Sequence, residues 1–269
     1  MTICIGAICE ESKYVVMASD AMITSEHLSI EFEHTASKLL RLSSNCVVAT
    51  AGDALAYTEL FNLAIREIDR LKSPSIEDLV AKVKECYKSI RKRQLIERIL
   101  EPRGFESLEK YYEAQRMLHP DVALSIMSQI DSYDYDLQLL LGGVDKTGAH
   151  LYSIFNPGTS VNFDAIGYHA IGSGLPHAIA TLIARDYNQT YSLAKAVFAV
   201  YDAKKISEKS PGVGSKITHM AIVSHENIIE FSSEEINKIN TVWEKGCAPA
   251  GEVSLGEIEE LLKKYGPPS

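Results

Sequence analysis

The sequence predicts one α/β (α+β) domain in which sheet layers lie between helix layers. Three observations predict it. Short Ile- and Val-rich runs alternate in blocks with apolar residues at helical spacing, in the order strands, helices, strands, helices, strands. The first strands are joined by connections too short for a crossover helix, so they pair antiparallel. Nothing along the 269 residues marks a linker, an internal repeat or a low-complexity tract, which predicts one domain over 1–269 rather than two.

The elements follow in order. Ile3 to Cys9 and Tyr14 to Ala18 are apolar runs split by the polar turn Glu10-Glu11-Ser12-Lys13, the pattern of a buried hairpin. The second strand delivers Ser19 and Asp20 at its end. Residues 21–36 are mixed and predict a loop. Lys38 to Leu42 and Cys46 to Ala51 are two more strands, the latter closed by Gly52-Asp53. From Ala54 the period changes, and Phe61, Ile65, Ile68 and Leu71 fall on one helical face. Ser73-Pro74 breaks that helix. Ser75 to Asp78 has the form of a capping box, after which Leu79, Val83, Cys86 and Ile90 continue a helix to about Leu100. Pro102-Arg103-Gly104 interrupts it, and further helices are predicted over Leu108–Met117 and Asp121–Ile130.

Strands return at Leu137–Val144 and His150–Phe155, and Val161–Ile171 predicts a strand pair or a bent strand. Gly172-Ser173-Gly174 leads into a helix over Pro176–Tyr187, and Leu193, Val197, Val200 and Ala203 form the stripe of the next. Ile217–Val223 and Ile228–Phe231 close the set of strands. Ser232 and Ser254 each open a capping-box helix.

Composition bounds the function. The net charge is −9 and the pI about 5.4, which disfavours non-specific binding to nucleic acid or to an anionic membrane. No apolar stretch approaches the roughly 20 residues of a membrane span, and no basic lead-in precedes an apolar run at the N-terminus. The five cysteines are an odd number with no CxxC pair, as expected of reduced thiols in a cytoplasm rather than disulfides or a zinc site. His27 and His34, with Glu31 and Glu33 nearby, do not have ligand spacing, so neither metal nor cofactor is expected. Cys4 is expected to be strand core.

The chemistry begins at Thr2. A small second residue permits removal of Met1, which would free the α-amine of the threonine. Such an amine titrates at about 7.7–8.0 and can take the hydroxyl proton, so nucleophile and base come from one residue. With Met1 retained that nitrogen is an amide and is not basic. On its own, a threonine here reads as the start of an edge strand.

The opening TICIGAICEESKYVVMASDAMIT resembles the N-terminus of proteasome β-type subunits, a threonine branch of the N-terminal-nucleophile (Ntn) hydrolases. The likeness continues through SKLLRL, VVATAGDALAYTEL, LQLLLGGVDKTGAHLYSIFNPG, AIGSG and GSKITHMAIV, over most of residues 2–225. It implies a four-layer αββα sandwich, two stacked, mostly antiparallel sheets between helix layers. Relative to it, a helical insertion is expected at about 93–117 and a C-terminal helical extension at about 241–269.

Residue by residue, the resemblance implies that Thr2 is the nucleophile, Asp20 the acid beside it and Lys38 the lysine next to the threonine. A nearby ammonium disfavours protonation of the amine. Gly52 matches the glycine whose N–H forms the oxyanion hole, and Ser173 the serine bonded around the amine. Thr24 matches a residue that pairs with substrate backbone. Ile23, Ala36, Leu40, Thr50 and Ala54 would line a pocket for small or apolar side chains. Two positions depart from the pattern. Met22 replaces an arginine two residues past the acid, and Ser210 to Ser215 contains no acid in register.

The function so implied is cleavage of peptide bonds through an acyl-enzyme on Thr2, without cofactor. Its substrates would be peptides or unfolded proteins, its assembly a homo-oligomeric ring, its setting cytoplasmic. An ATP-dependent unfoldase is among the partners implied. Two alternatives stand beside it: a non-catalytic ring or scaffold subunit, and a transpeptidase or ligase using the same threonine.

Overall fold

The computed structural model describes residues 2–25, 30–53, 56–246 and 256–263. The chain opens with β1 (Cys4–Cys9), β2 (Tyr14–Asp20), β3 (Met22–Ser25), β4 (Ile30–Glu33), β5 (Leu39–Ser43) and β6 (Cys46–Gly52). Helices α1 (Ala56–Ile68), α2 (Ile76–Leu95), α3 (Leu108–Ala114) and α4 (Pro120–Asp131) follow. Then come β7 (Leu137–Asp145), β8 (Gly148–Phe155), β9 (Thr159–Asn162), β10 (Tyr168–Ile171), α5 (Leu175–Ala184) and α6 (Leu193–Ser207). Strands β11 (Thr218–Val223) and β12 (Ile228–Glu230) and helices α7 (Ser233–Gly246) and α8 (Gly256–Leu262) complete the order.

Two five-stranded sheets, ordered β10-β1-β2-β11-β12 and β5-β6-β7-β8-β9, carry the fold. Every pairing in them is antiparallel. Between the sheets, Cys4, Ile8, Val15 and Met17 meet Val47, Ala49, Leu140 and Leu151. The other face of the first sheet packs Ile3, Ile5, Val16 and Ala18 against Val197, Val200, Ile239 and Ile258 of the helices. The other face of the second packs Val48, Leu139 and Leu141 against Leu60, Leu79 and Val83. The layers are therefore helix, sheet, sheet, helix, as the sequence predicts. A strand covered on both faces has no solvent side, which is why β1 is buried throughout and reads as a continuous apolar run.

Local chemistry sets the boundaries. Ser75 accepts from the Asp78 amide while the Asp78 side chain returns to the Ser75 amide, the predicted capping box of α2. Asp145, at the end of β7, accepts from the Ile76 amide at 2.9 Å and so holds the same helix start to the sheet. The backbone of α2 runs on through Ile96–Leu100 and Glu101–Arg103, ending at Gly104 with φ 83°. Leu95, Ile99, Leu100, Tyr111, Ile126, Ile130 and Tyr133 form a separate apolar cluster. The helical stretch expected at about 93–117 lies within it, together with α4. At the C-terminus, Ile258 and Leu261 of α8 join the core of the helix layer. Ser254, expected to cap that helix, lies outside the described residues.

Two expectations need correction. Residues 21–36 are not all loop: β3 and β4 pair Met22 with Glu33 and Ile23 with Phe32 as a separate two-stranded sheet. Strands of four residues are too short to display an alternating pattern. Val161–Ile171 is neither a pair nor a bent strand. β9 pairs with β8 in the second sheet, and β10 pairs with β1 in the first. The chain crosses between sheets at Asp164, whose carboxylate accepts from the Leu151 amide at 2.8 Å.

Candidate active site

Thr2 stands just before β1 and is 3% exposed. Pairing of β1 with β2 sets Cys4 opposite Ser19, and the Asp20 amide donates to the Ile3 carbonyl at 3.1 Å. That register brings the carboxylate of Asp20 to the threonine. The Thr2 hydroxyl donates to Asp20 Oδ1 at 2.5 Å. The same oxygen accepts from the Ile3 amide at 3.3 Å and from Lys38 Nζ at 2.8 Å. Oδ2 accepts from the Gly214 amide at 2.9 Å. Asp20 is fully buried and Lys38 nearly so, with 13% of its side chain exposed. Burial of such a pair is tolerable only because hydrogen bonds occupy the remaining lone pairs.

Ser173 closes the other side. Its Oγ accepts from the Thr2 amide at 3.2 Å and donates to the Thr2 carbonyl at 3.4 Å. The Gly174 amide donates to that carbonyl at 3.2 Å. Gly52 ends β6 with φ 112°, and the next amide, of Asp53, donates to the Asp136 carbonyl at 2.9 Å. A positive φ of this size is open to glycine and strained for other residues.

Four of the five predicted catalytic residues thus share one hydrogen-bonded cluster: Thr2, Asp20, Lys38 and Ser173. Gly52 lies at the end of the facing sheet. The predicted binding residues are more dispersed. Ile23 is half-buried in β3, Ala36 is exposed, and Leu40 packs toward the second sheet's helix-facing core. Thr24 lies in β3 with its side chain outside the described residues, and Ala54 lies outside them entirely. Thr50 borders a slot of about 10 Å³ with Leu42, Val48, Tyr57 and Phe61, too small to admit a side chain. A far larger cleft, about 1030 Å³, opens at the opposite ends of the strands between the β1–β2, β7–β8 and β11–β12 turns. It contains none of the predicted site residues, and the bonded cluster at Thr2 defines the candidate site.

Cys4 behaves as strand core. Burial pushes its thiol up to about 12, against the opposing charge of Lys38, and its Sγ donates to the Thr50 carbonyl at 3.4 Å. It is no thiolate at neutral pH. Among the described residues no group of His, Cys, Asp and Glu is arranged to hold a metal, and no helix is long and apolar enough to cross a membrane.

Sequence reading missed the backbone donors. Gly214 lies in the loop singled out only for lacking an acid, and an N–H leaves no mark in a residue's type. The same loop is fastened by Ser210 Oγ, 2.9 Å from His177 Nδ1 in α5. Lys204 was also unforeseen. It is fully buried in α6, bonded to Glu208 Oε1 at 2.7 Å, and burial draws its ammonium below the ordinary lysine value.

Curated relatives of the chain are named proteasome subunit beta. A proteasome subunit beta from Ferroglobus placidus is 32% identical over 118 residues, 43% of this chain and 53% of the relative. One from Archaeoglobus profundus is 30% identical over 139 residues, 48% of this chain and 62% of the relative. A third, from Methanothermobacter thermautotrophicus, is 27% identical over 146 residues, 49% of this chain and 68% of the relative. The chain thus spans little more than half the length of the first two relatives. No family model matches it. The fold is an αββα sandwich, two antiparallel sheets between helix layers. Within that fold, the relatives support the proteasome β type, and the resemblance read from the sequence holds.

Proposed function

We propose that this chain is a proteasome β-type N-terminal threonine hydrolase, acting on peptide amide bonds once Met1 is removed. The observation that carries the proposal is the convergence of Thr2 Oγ and Lys38 Nζ on one oxygen of Asp20, at 2.5 and 2.8 Å. A buried carboxylate that orders both the hydroxyl and an ammonium is what an activated threonine needs.

In the proposed reaction the freed α-amine takes the proton from Thr2 Oγ as that oxygen attacks the carbonyl carbon. The developing oxyanion is stabilised by the Gly52 N–H. The ammonium then returns the proton to the leaving nitrogen, the C–N bond breaks, and an ester on Thr2 remains. Water, activated by the same amine, hydrolyses it. Lys38 disfavours protonation of the amine, Asp20 holds Lys38, and Ser173 orients the amine nitrogen it already faces. The pocket residues are proposed as Ile23, Thr24, Ala36, Leu40, Thr50 and Ala54, with small or apolar side chains preferred. Peptides or unfolded proteins are the proposed substrates, a ring of copies the proposed assembly and the cytoplasm the proposed setting.

A non-catalytic ring subunit is the second reading, favoured by one observation: the loop whose Gly214 amide bonds Asp20 contains no acid, and its Ser210 pairs with His177. Cleavage of a fluorogenic peptide library separates the two. Thr2→Ala is expected to abolish turnover while leaving the fold intact, because it deletes one hydrogen bond to a carboxylate, worth about 1.5–3 kcal/mol. Cleavage undiminished in Thr2→Ala, or absent from the Met1-free parent, contradicts the hydrolase. Transfer of the acyl group to an added amine in place of water identifies a transpeptidase.

A further inference from the structure

We infer that Gln138 is a positioning residue that locks the strand carrying the nucleophile against the strand carrying the oxyanion donor; this rests on the proposed roles of Thr2 and Gly52. These two residues belong to different sheets. Thr2 precedes β1, whose neighbours in the first sheet are β10 and β2. Gly52 ends β6, whose neighbours in the second sheet are β5 and β7. Apolar contacts between sheets hold them together but do not fix their sliding, because dispersion is weakly directional. Attack requires the hydroxyl and the oxyanion donor at a fixed separation, and an error of about 1 Å costs on the order of 100-fold in rate.

Among the described residues the weak thiol bond from Cys4 Sγ to the Thr50 carbonyl, at 3.4 Å, joins β1 to β6 directly, and two stronger polar ties between the sheets at this end bracket the pair. On one side Lys38, the residue before β5, donates to Asp20 at the end of β2 at 2.8 Å. On the other, the amide of Gly172, the residue after β10, donates to Gln138 Oε1 on β7 at 3.2 Å. β1 and β6 are therefore each flanked by strands fastened to the opposite sheet. Gln138 pairs with Ala51 and Leu137 with Gly52, so the amide side chain stands one residue from the oxyanion position.

Gly172 is equally close to the nucleophile. A Cβ there would stand 2.3 Å from the Thr2 carbonyl oxygen, so its backbone lies directly against Thr2. Ser173, bonded to the Thr2 amide, is the next residue. Gln138 is exposed at the start of a strand that is buried from Leu139 to Val144.

The test uses the full chain with Met1 removed. Gln138→Met keeps the bulk and loses the acceptor; Gln138→Glu keeps an acceptor oxygen. Steady-state peptide cleavage is read as kcat and KM separately. The expected result is a fall in kcat of about tenfold in Gln138→Met with KM unchanged, and kcat within about twofold of the parent in Gln138→Glu. Equal kcat in the parent and Gln138→Met overturns the inference, as does an equal loss in both variants. If the parent cleaves nothing, the Thr2 proposal fails by itself, and hydrogen exchange at the Gly172 amide decides the tie. Exchange about tenfold faster in Gln138→Met than in the parent supports it, and equal exchange overturns it.

Discussion

At the scale of single residues, Asp20 organises the site more than Thr2 does. The hydroxyl of Thr2, the amides of Ile3 and Gly214 and the ammonium of Lys38 all donate to it. Asp20→Ala strands these donors inside the protein and leaves Lys38 without its carboxylate. We expect a loss of about 3–5 kcal/mol in urea unfolding, against about 1.5–3 kcal/mol for Thr2→Ala; equal losses would show that Asp20 is not the hub. Thr2, Asp20, Lys38 and Ser173 were singled out through the resemblance alone, since by themselves they read as strand-end and turn residues, and the structure brings the four into one hydrogen-bonded cluster. Gly214 and Gln138 were not singled out. The first acts through its backbone, and the second acquires meaning only when two sheets are stacked.

At the scale of elements, the start of α2 shows how a loop acid can fix a helix to a sheet. Burial alone would raise the carboxyl of Asp145. Hydrogen bonds from the Thr147 hydroxyl and from the Ile76 and Thr147 amides outweigh it and bring the group down to about 2. Its folded value thus lies below the unfolded value of about 3.9, and the unfolded chain binds the proton more readily. The stability it contributes is full above about pH 4 and is lost as pH falls toward 2. Asp145→Asn is expected to lower stability at pH 7 by about 1–3 kcal/mol and to remove this part of the acid dependence. Urea midpoints measured from pH 7 to pH 2 check it; an unchanged acid limb contradicts it. The capping box of α2 was readable because a Ser and an Asp three apart precede an apolar run. The pairing of β3 with β4 was not, since strands of four residues are too short to imprint a period.

At the scale of the whole molecule, sheet layers between helix layers were predictable from the order of periods, the four-layer arrangement came from the resemblance, and the crossing at Asp164 was not predictable. A side-chain carboxylate turns the chain there, and no change of hydrophobic period announces it. The C-terminal helix α8 is part of the domain core, with Ile258 packed among Ile239 and Val242 of α7. Ile258→Ala is expected to cost about 2–5 kcal/mol in global unfolding; a change under about 0.5 kcal/mol would place α8 outside the cooperative unit. All of this architecture serves one claim, that an amine freed at Thr2 works beside Asp20 and Lys38. The most direct test is to express the full chain, measure its intact mass, treat it with a peptide electrophile that bonds threonine, and map the adduct. The account predicts a chain lacking Met1 with a single adduct on Thr2, absent from Thr2→Ala. A chain that keeps Met1, or an adduct on any other residue, contradicts it.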